Sequence, residues 1–354
     1  GGPDWNRWAD EFSADPPSYS KMSQVAEAGV LTAARAGDET AFSALVERYR
    51  RELQVHCYRM LGSLEDAEDA VQEAFLRAWR KRETFRGDSS FRAWLYSIAT
   101  NACLDALARR PRVEPPQDGR PLAEVPWLQP YPDRLLEDVA SNDEEPDAEV
   151  VAKETIELAF IATIQLLPPK QRAVLISRDV LGWSAAESAA LLDTSVAAVN
   201  SALQRARATL KRHLPPRRLE WTARSEPSEE ERKLLERYME ACERGDANAI
   251  VRLLRADAFC AMPPDPSWWV GNWEIVDAWV QGGFGDDGWG TLRCVATSVN
   301  QQAAVACYVK RAGDTVYRPL ALDVLRIEDG VVGEITVFSL EEKLLEALGL
   351  PPTL

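Results

Sequence analysis

SAAESAALLD (184–193), followed at once by TSVAAVNSALQRARATLKRHL (194–214), is the stretch on which the reading of this chain turns. In the second segment Val196, Val199, Leu203, Ala206 and Leu210 recur at helical spacing and share one side. The remaining surface offers Ser195, Ala197, Ala198, Asn200, Ser201, Gln204, Arg205 and Lys211. A short helix, a tight turn and a longer basic helix make a helix-turn-helix. Small and amide side chains near its start can approach base edges, while Arg205, Arg207 and Lys211 can hold phosphates. The same pattern also describes a bundle helix with a solvated basic face, so the surroundings must decide.

The charge distribution favours the first reading. The 354 residues carry a net charge of −15, the wrong sign for a DNA-binding chain taken whole. Residues 29–113 and 151–224, however, are net positive at +2 and +5. The negative charge lies in 1–28 (−3), 114–150 (−9) and 225–354 (−10). A local basic patch matters for phosphate binding, and the whole-chain sum does not. Two or three domains are expected from the length. No long apolar run predicts a membrane span, no secretory signal is visible, and a cytoplasmic, membrane-free protein is expected. Cys57, Cys103, Cys242, Cys260, Cys294 and Cys307 form no CxxC pair and read as buried reduced thiols. With only His56 and His213 available, no metal site is expected, and no cofactor.

Upstream, residues 30–112 are helical by pattern. In DAEDAVQEAFLRAWR (66–80), Asp66, Asp69 and Glu73 share one helical face, with Gln72 beside them. An acidic first turn favoured by the helix dipole is the bland account. In FRGDSSFRAWLYSIATNACLDALARRPR (85–112), a polar connector containing Gly87 leads into a helix that mixes aromatic residues, Ser, Asn and arginines. That mixture suits single-stranded nucleic acid, whose bases leave the stack and enter pockets. Packing is the competing account for Phe91 and Trp94, which fit the apolar stripe.

Residues 1–28 read as a flexible extension, the part before Met22 as an appended segment. The acidic, proline-rich stretch 113–150 and the shorter 215–228 read as linkers. The first contains the apolar-aromatic patch VPWLQPYP (125–132). Trp127, Leu128 and Tyr131 need a surface to cover them, and the tryptophan-rich tail, tethered at high effective concentration, is the expected one. Packing on the neighbouring helices alone is the alternative. In 229–345, two helices precede a short strand through Cys260, a helix near 272–281 and strands at 290–298, 302–310, 318–327 and 331–339. Asp329-Gly330 marks a hairpin turn. The order predicts an α+β domain, with 346–354 as a terminal tail.

At these residues the chain resembles the extracytoplasmic-function group of sigma-70 family factors. YRRELQVHCYRMLGSLEDAEDAVQEAFLRAWR (49–80), RGDSSFRAWLYSIATNACLD (86–105) and LPPKQRAVLISRDVLGWSAAESAALLDTSVAAVNSALQRARATLK (167–211) carry the likeness, in the family's order. The resemblance implies two all-α domains, at 29–112 and 151–214, that direct core RNA polymerase to promoters. It implies that Asp66, Asp69, Gln72 and Glu73 dock on the polymerase beta-prime clamp helices. Phe85, Arg86, Gly87, Asp88, Ser89, Ser90, Phe91, Trp94 and Asn101 would take the −10 non-template strand. The helix at 194–213 would enter the −35 duplex, with the polymerase beta flap as the second domain's partner.

Residues 229–345 are similar to the SnoaL-like cone fold, in which a curved sheet encloses a pocket. Met262, Trp268, Trp269, Trp289 and Phe338 are the expected pocket residues, for a small-molecule ligand of unknown identity. PWLQPYPDRLL (126–136) resembles the linker motif of a sigma subfamily with such a tail, and the tail is then expected to regulate. The cone fold also hosts enzymes, but fold does not imply function. Asp257, Asp265 and Asp323 are conceivable bases and Tyr308 or Tyr317 conceivable donors, yet they define no constellation. The chain is expected not to be an enzyme. A one-component helix-turn-helix regulator with a sensor or vestigial enzyme domain is the alternative. It would need neither the acidic helix nor the strand-opening surface.

Overall fold

The computed structural model describes residues 24–85, 90–110, 125–137, 156–214, 228–285 and 290–354. Most of the expected N-terminal extension and of both linkers lies outside these residues.

Helices α1 (Gln24–Arg35), α2 (Glu39–Glu47), α3 (Arg50–Leu61), α4 (Leu64–Lys81) and α5 (Phe91–Leu107) build the first unit. Their starts follow local chemistry. Asp38, Ser63 and Ser90 each accept a backbone N–H from the turn they open. Gly62 ends α3 in a left-handed turn (φ 70°), and a Cβ there would run into Gln165. α3 is buried along most of its length, polar Gln54, His56 and Arg59 included, so it forms the axis of the unit.

The second unit comprises α6 (Leu158–Gln165), α7 (Pro169–Leu175), a wider turn through Ile176–Val180, α8 (Ala185–Leu191) and α9 (Val196–His213). Pro169 opens α7, where its missing N–H costs nothing. Ser184 and Glu187 form a reciprocal capping box on α8. Every residue of α6 is buried, which marks a helix enclosed on all sides.

The tail holds α10 (Glu229–Glu243), α11 (Ala247–Leu253), β1 (Leu254–Met262), β2 (Asp265–Val270), α12 (Asn272–Gln281), β3 (Thr291–Val299), β4 (Gln302–Lys310), β5 (Arg318–Glu328), β6 (Val331–Ser339) and α13 (Glu342–Leu348). One sheet in the order β2-β1-β6-β5-β4-β3 results. β1 runs parallel to β6, and the other pairings are antiparallel. The four late strands fall within a residue of their expected bounds. Asp329 and Gly330 both take positive φ, as a two-residue hairpin turn requires. β2 was not anticipated. It contains Pro266 and follows Pro263-Pro264, a signature that reads as loop and is tolerated here because β2 is an edge strand. The last residues are not a loose tail: Tyr317 and Leu354 exchange backbone hydrogen bonds of 2.9 and 3.1 Å.

The two faces of the sheet serve different cores. Val305, Leu325 and Ile335 pack beneath Tyr238, Ile250, Ile275 and Trp279 of the tail's own helices. Ala304, Ala306, Tyr308, Leu322 and Val324 join a core shared with both helical units and the linker.

Candidate nucleic-acid interface

On α9, the buried seam is Val199, Ala202, Leu203, Ala206 and Leu210. Val196, expected in that seam, is instead 44% exposed. It is the first residue of the helix, and the seam takes up its burial only one turn later. Val196 thus stands with exposed Ser195, Ala197, Ala198, Asn200, Gln204, Arg205 and Lys211, beside half-buried Ser201. An apolar side chain there suits a thymine methyl group, and periodicity alone hid it. Ser195 caps the helix by accepting from Ala198 N at 3.2 Å. Arg205 donates to Ser201 Oγ at 2.6 Å. Arg207 is bound to both carboxylate oxygens of Asp179, so its charge is already partly answered within the protein.

Arg86, Gly87, Asp88 and Ser89 lie outside the described residues. Around them, Phe85 and Phe91 are buried and Trp94 is half-buried. Their rings form a triangle with centroid separations of 5.6, 5.3 and 5.4 Å. These three side chains therefore pack on one another, fixing the two ends of the loop. Ser90 caps α5. Asn101 is exposed, its amide donating to Ser97 O at 2.9 Å.

On α4, Asp69 and Gln72 are exposed and Asp66 and Glu73 are half-buried. Arg110 pairs with Asp66, and Arg77 bridges Glu73 and Asp105 at 2.6 Å each. At the start of the same helix, Glu65 meets Lys343 of α13 at 3.3 Å.

The patch in the first linker contacts both sides. Gln129 donates its N–H to Gly62 O and accepts from Tyr58 and Ser63. The Arg110 guanidinium lies 4.9 Å above the Trp127 ring. Leu128 and Tyr131 are buried, the latter 4.9 Å from the Tyr58 ring. On the tail side, the β3–β4 turn closes on the linker. Asn300, 0% exposed, accepts from Tyr131 N at 2.7 Å through Oδ1. Its Nδ2 donates to Tyr58 Oη at 2.9 Å and to Ile156 O at 2.6 Å. Its own N–H donates to Tyr131 O at 2.8 Å. Gln301 N donates to Asp133 Oδ1, and Gln302 Oε1 accepts from Leu158 N at 3.1 Å. Arg134 donates to Glu346 O and Ala347 O. One asparagine side chain thus ties the first unit, the linker and the start of the second unit to the tail. Sequence reasoning placed the patch on the tail and missed Asn300.

The helical units also touch directly. Arg172 donates to Met60 O, Gln165 to Arg59 O at 3.2 Å, and Ser97 to Leu191 O at 3.5 Å. The Tyr96 and Trp183 rings lie 5.4 Å apart.

In the tail, a cavity of about 730 Å³ is lined by Met262, Trp269, Trp279, Phe284, Phe338 and Asp323, among others. Trp268 is not in its wall and is 40% exposed. Neighbours along a strand point to opposite faces, so Trp268 and Trp269 could not both face in. Trp289 lies outside the described residues. Tyr308 donates to Pro351 O and Tyr317 is bonded to Thr291 at the surface, so neither expected donor faces the cavity. Asp257 is exposed and paired with Arg255. Asp323 is buried and accepts from Tyr238 Oη at 2.9 Å. Burial pushes its carboxyl up to about 7, against the pull of that hydrogen bond. No helix among the described residues is long and apolar enough to cross a membrane.

Comparison with known proteins agrees with this layout. The Sigma-70 region 2 family matches residues 45–113, and the Sigma-70, region 4 family matches 157–210. The ECF RNA polymerase sigma factor SigG of Mycobacterium tuberculosis (strain CDC 1551 / Oshkosh) is 44% identical over 331 residues, covering 90% of this chain and 86% of that protein. SigM of Mycobacterium tuberculosis (strain ATCC 25618 / H37Rv), another ECF sigma factor, is 34% identical over 53% of this chain and 84% of its own. The crystal structure of the Mycobacterium tuberculosis ECF sigma factor SigJ superposes with a TM-score of 0.55 at 23% identity, covering 87% of this chain and 100% of that one. Two sigma regions in sequence order define a transcription initiation factor. With the full-length likeness to SigG, the chain belongs to the ECF RNA polymerase sigma factors.

Proposed function

We propose that this sigma factor reads the −35 duplex with the start of α9 and the melted −10 non-template strand with α5 and the loop before it. Asp69 and Gln72, with Asp66 and Glu73 released from their arginines, would meet the beta-prime clamp helices, and the second unit would meet the beta flap. Such a factor works in the cytoplasm. Its C-terminal domain holds the two readers in an arrangement too short for a promoter.

The contact between Ser97 and Leu191 carries this last reading. Nine residues separate Leu191 from Asn200, a reach of at most about 32 Å. Ser97 and Asn101 are one helical turn apart, about 6 Å. Asn200 and Asn101 therefore lie within roughly 45 Å of each other, whereas −35 and −10 elements are on the order of 80 Å apart at ~3.4 Å per base pair. Both readers can engage one promoter only after α8 leaves α5. The tail also stands beside the polymerase-docking helix through Lys343 and Glu65. An apolar small molecule that fills the Trp269–Trp279–Phe338 cavity would shift this balance only if it bound the two arrangements with different affinity.

The test is run-off transcription with purified core polymerase on a genomic promoter library. The full chain should direct initiation. Asn200→Ala should relax preference at one −35 base pair by about 1–3 kcal/mol, while Arg205→Ala should weaken all sequences alike and lower the salt slope. Equal effects of Asn200→Ala on matched and scrambled −35 elements would remove it from the base-reading set. Failure of the chain to bind core polymerase would sink the reading as a whole.

A further inference from the structure

Three of the cysteines meet in the tail, in a place the promoter-reading function does not use. Cys294 and Cys307 are directly opposed partners in the β3–β4 ladder, with sulfurs 3.9 Å apart. Cys242 of α10 hydrogen-bonds to Cys294 as well. Cys307 Sγ donates to Asp323 Oδ2 at 3.7 Å. Cys242 and Cys307 are buried and reach the cavity wall, while Cys294 is only half-buried.

We propose that Cys294 and Cys307 form a peroxide-oxidisable dithiol, with Cys294 as the attacking thiol and Cys307 as the resolving one. Directly opposed strand residues have Cα atoms about 4.5 or 5.5 Å apart, inside the range of about 4.4–6.8 Å that a disulfide spans. The bond therefore needs side-chain rotation and no movement of the strands. Cys294 is also the more reactive thiol by its surroundings. Hydrogen bonds from the Cys242 and Cys307 thiols favour its thiolate and hold it down to about 5, against burial and the nearby Glu243 carboxylate. Cys307 is pushed the other way, first by its bond to Cys294 and then by burial. The two thiols are thus unlike, as attacker and resolver should be.

The step balances with a hydroperoxide as oxidant. The Cys294 thiolate attacks the terminal peroxide oxygen, the O–O bond breaks, and the alkoxide leaves with the proton that Cys294 gave up. Cys294 is then a sulfenic acid. Asp323 takes the Cys307 proton, and the Cys307 sulfur attacks the sulfenic sulfur. An S–S bond forms, the S–O bond breaks, and the departing hydroxide recovers the proton from Asp323 as water. Two thiols and one hydroperoxide yield one disulfide, one alcohol and one water. The oxidised pair would sit on the hairpin whose tip, Asn300-Gln301, grips the linker.

The experiment treats the full reduced chain with hydrogen peroxide, blocks remaining thiols, and maps linked peptides by mass spectrometry. The expected product joins Cys294 to Cys307, is lost in Cys307→Ser with a trapped sulfenic acid on Cys294, and is restored to two thiols by a dithiol reductant. Asp323→Asn should slow closure of the disulfide and leave sulfenic acid formation at its normal rate. A Cys242–Cys294 link in the unmodified chain would overturn the assignment of Cys307. Thiols that stay reduced while free glutathione in the same tube is oxidised would overturn the site.

Discussion

Replacing Asn300 by alanine tests whether the tail holds the two readers together. The substitution removes three hydrogen bonds of a wholly buried side chain. Tyr131 N–H and Ile156 C=O are left without that partner, at about 1–3 kcal/mol for each buried group. Asn300 also sits at φ 54°, a conformation that alanine accepts less readily than asparagine. The sum is about 4 kcal/mol against the closed arrangement, roughly a thousandfold at ~1.4 kcal/mol per decade. The three lost bonds all leave the tail, for Tyr131, Tyr58 and Ile156, so the tail should stay folded while its grip loosens, with the bond from Asn300 N to Tyr131 O retained. The assay is hydrogen exchange over 125–137, with promoter binding alongside core polymerase. Protection should fall and promoter affinity should rise. Asp133→Ala, which removes the acceptor for Gln301 N at 2.8 Å, should move both in the same direction by less. If both variants keep wild-type protection and wild-type promoter affinity, the clasp does not govern the arrangement.

Two pH predictions have opposite signs. His56 is buried against Thr100 at 2.9 Å, and burial holds its imidazole down to about 3 from 6.5. The unfolded chain takes up a proton that the native chain refuses. Stability therefore falls as pH drops below about 6.5, by about 2 kcal/mol at pH 5. Denaturant titration should show this loss in the wild type and a smaller one in His56→Gln. Asp323 is raised instead, so its contribution is complete below its unfolded value near 3.8 and is lost as pH rises through about 7. Asp323→Asn should therefore gain stability relative to wild type between pH 5 and 8, and an unchanged difference across that window would contradict the account of its burial.

How much was legible depended on the range of the interaction concerned. The seam of α9 from Val199 onward and the Asp329-Gly330 turn are short-range patterns, and they appear where the sequence placed them. Val196 failed because a period cannot say where a packing partner begins. Trp268 failed for a simpler reason: strand alternation already forbids adjacent tryptophans from sharing a pocket, but β2 was not recognised as a strand. Asp323 was visible as a candidate base, but its partner Tyr238 lies 85 residues away in sequence. Asn300 reads as ordinary turn chemistry, and with Gln301 it does supply the positive-φ pair of a hairpin turn. Nothing local announces that its amide reaches Tyr58, 242 residues earlier.

Helix α6, LAFIATIQ, has no polar face to turn outward. A protein that idled in an open form would present this greasy rod to water and invite self-association, since exposed apolar patches of that kind are seldom left bare. Opening in free solution is therefore a hazardous state to populate. On the proposed reading, the safer route would be a handover in which polymerase takes up the uncovered surface as the tail lets go, so that the factor would pass from one cover to another and never be undressed between them.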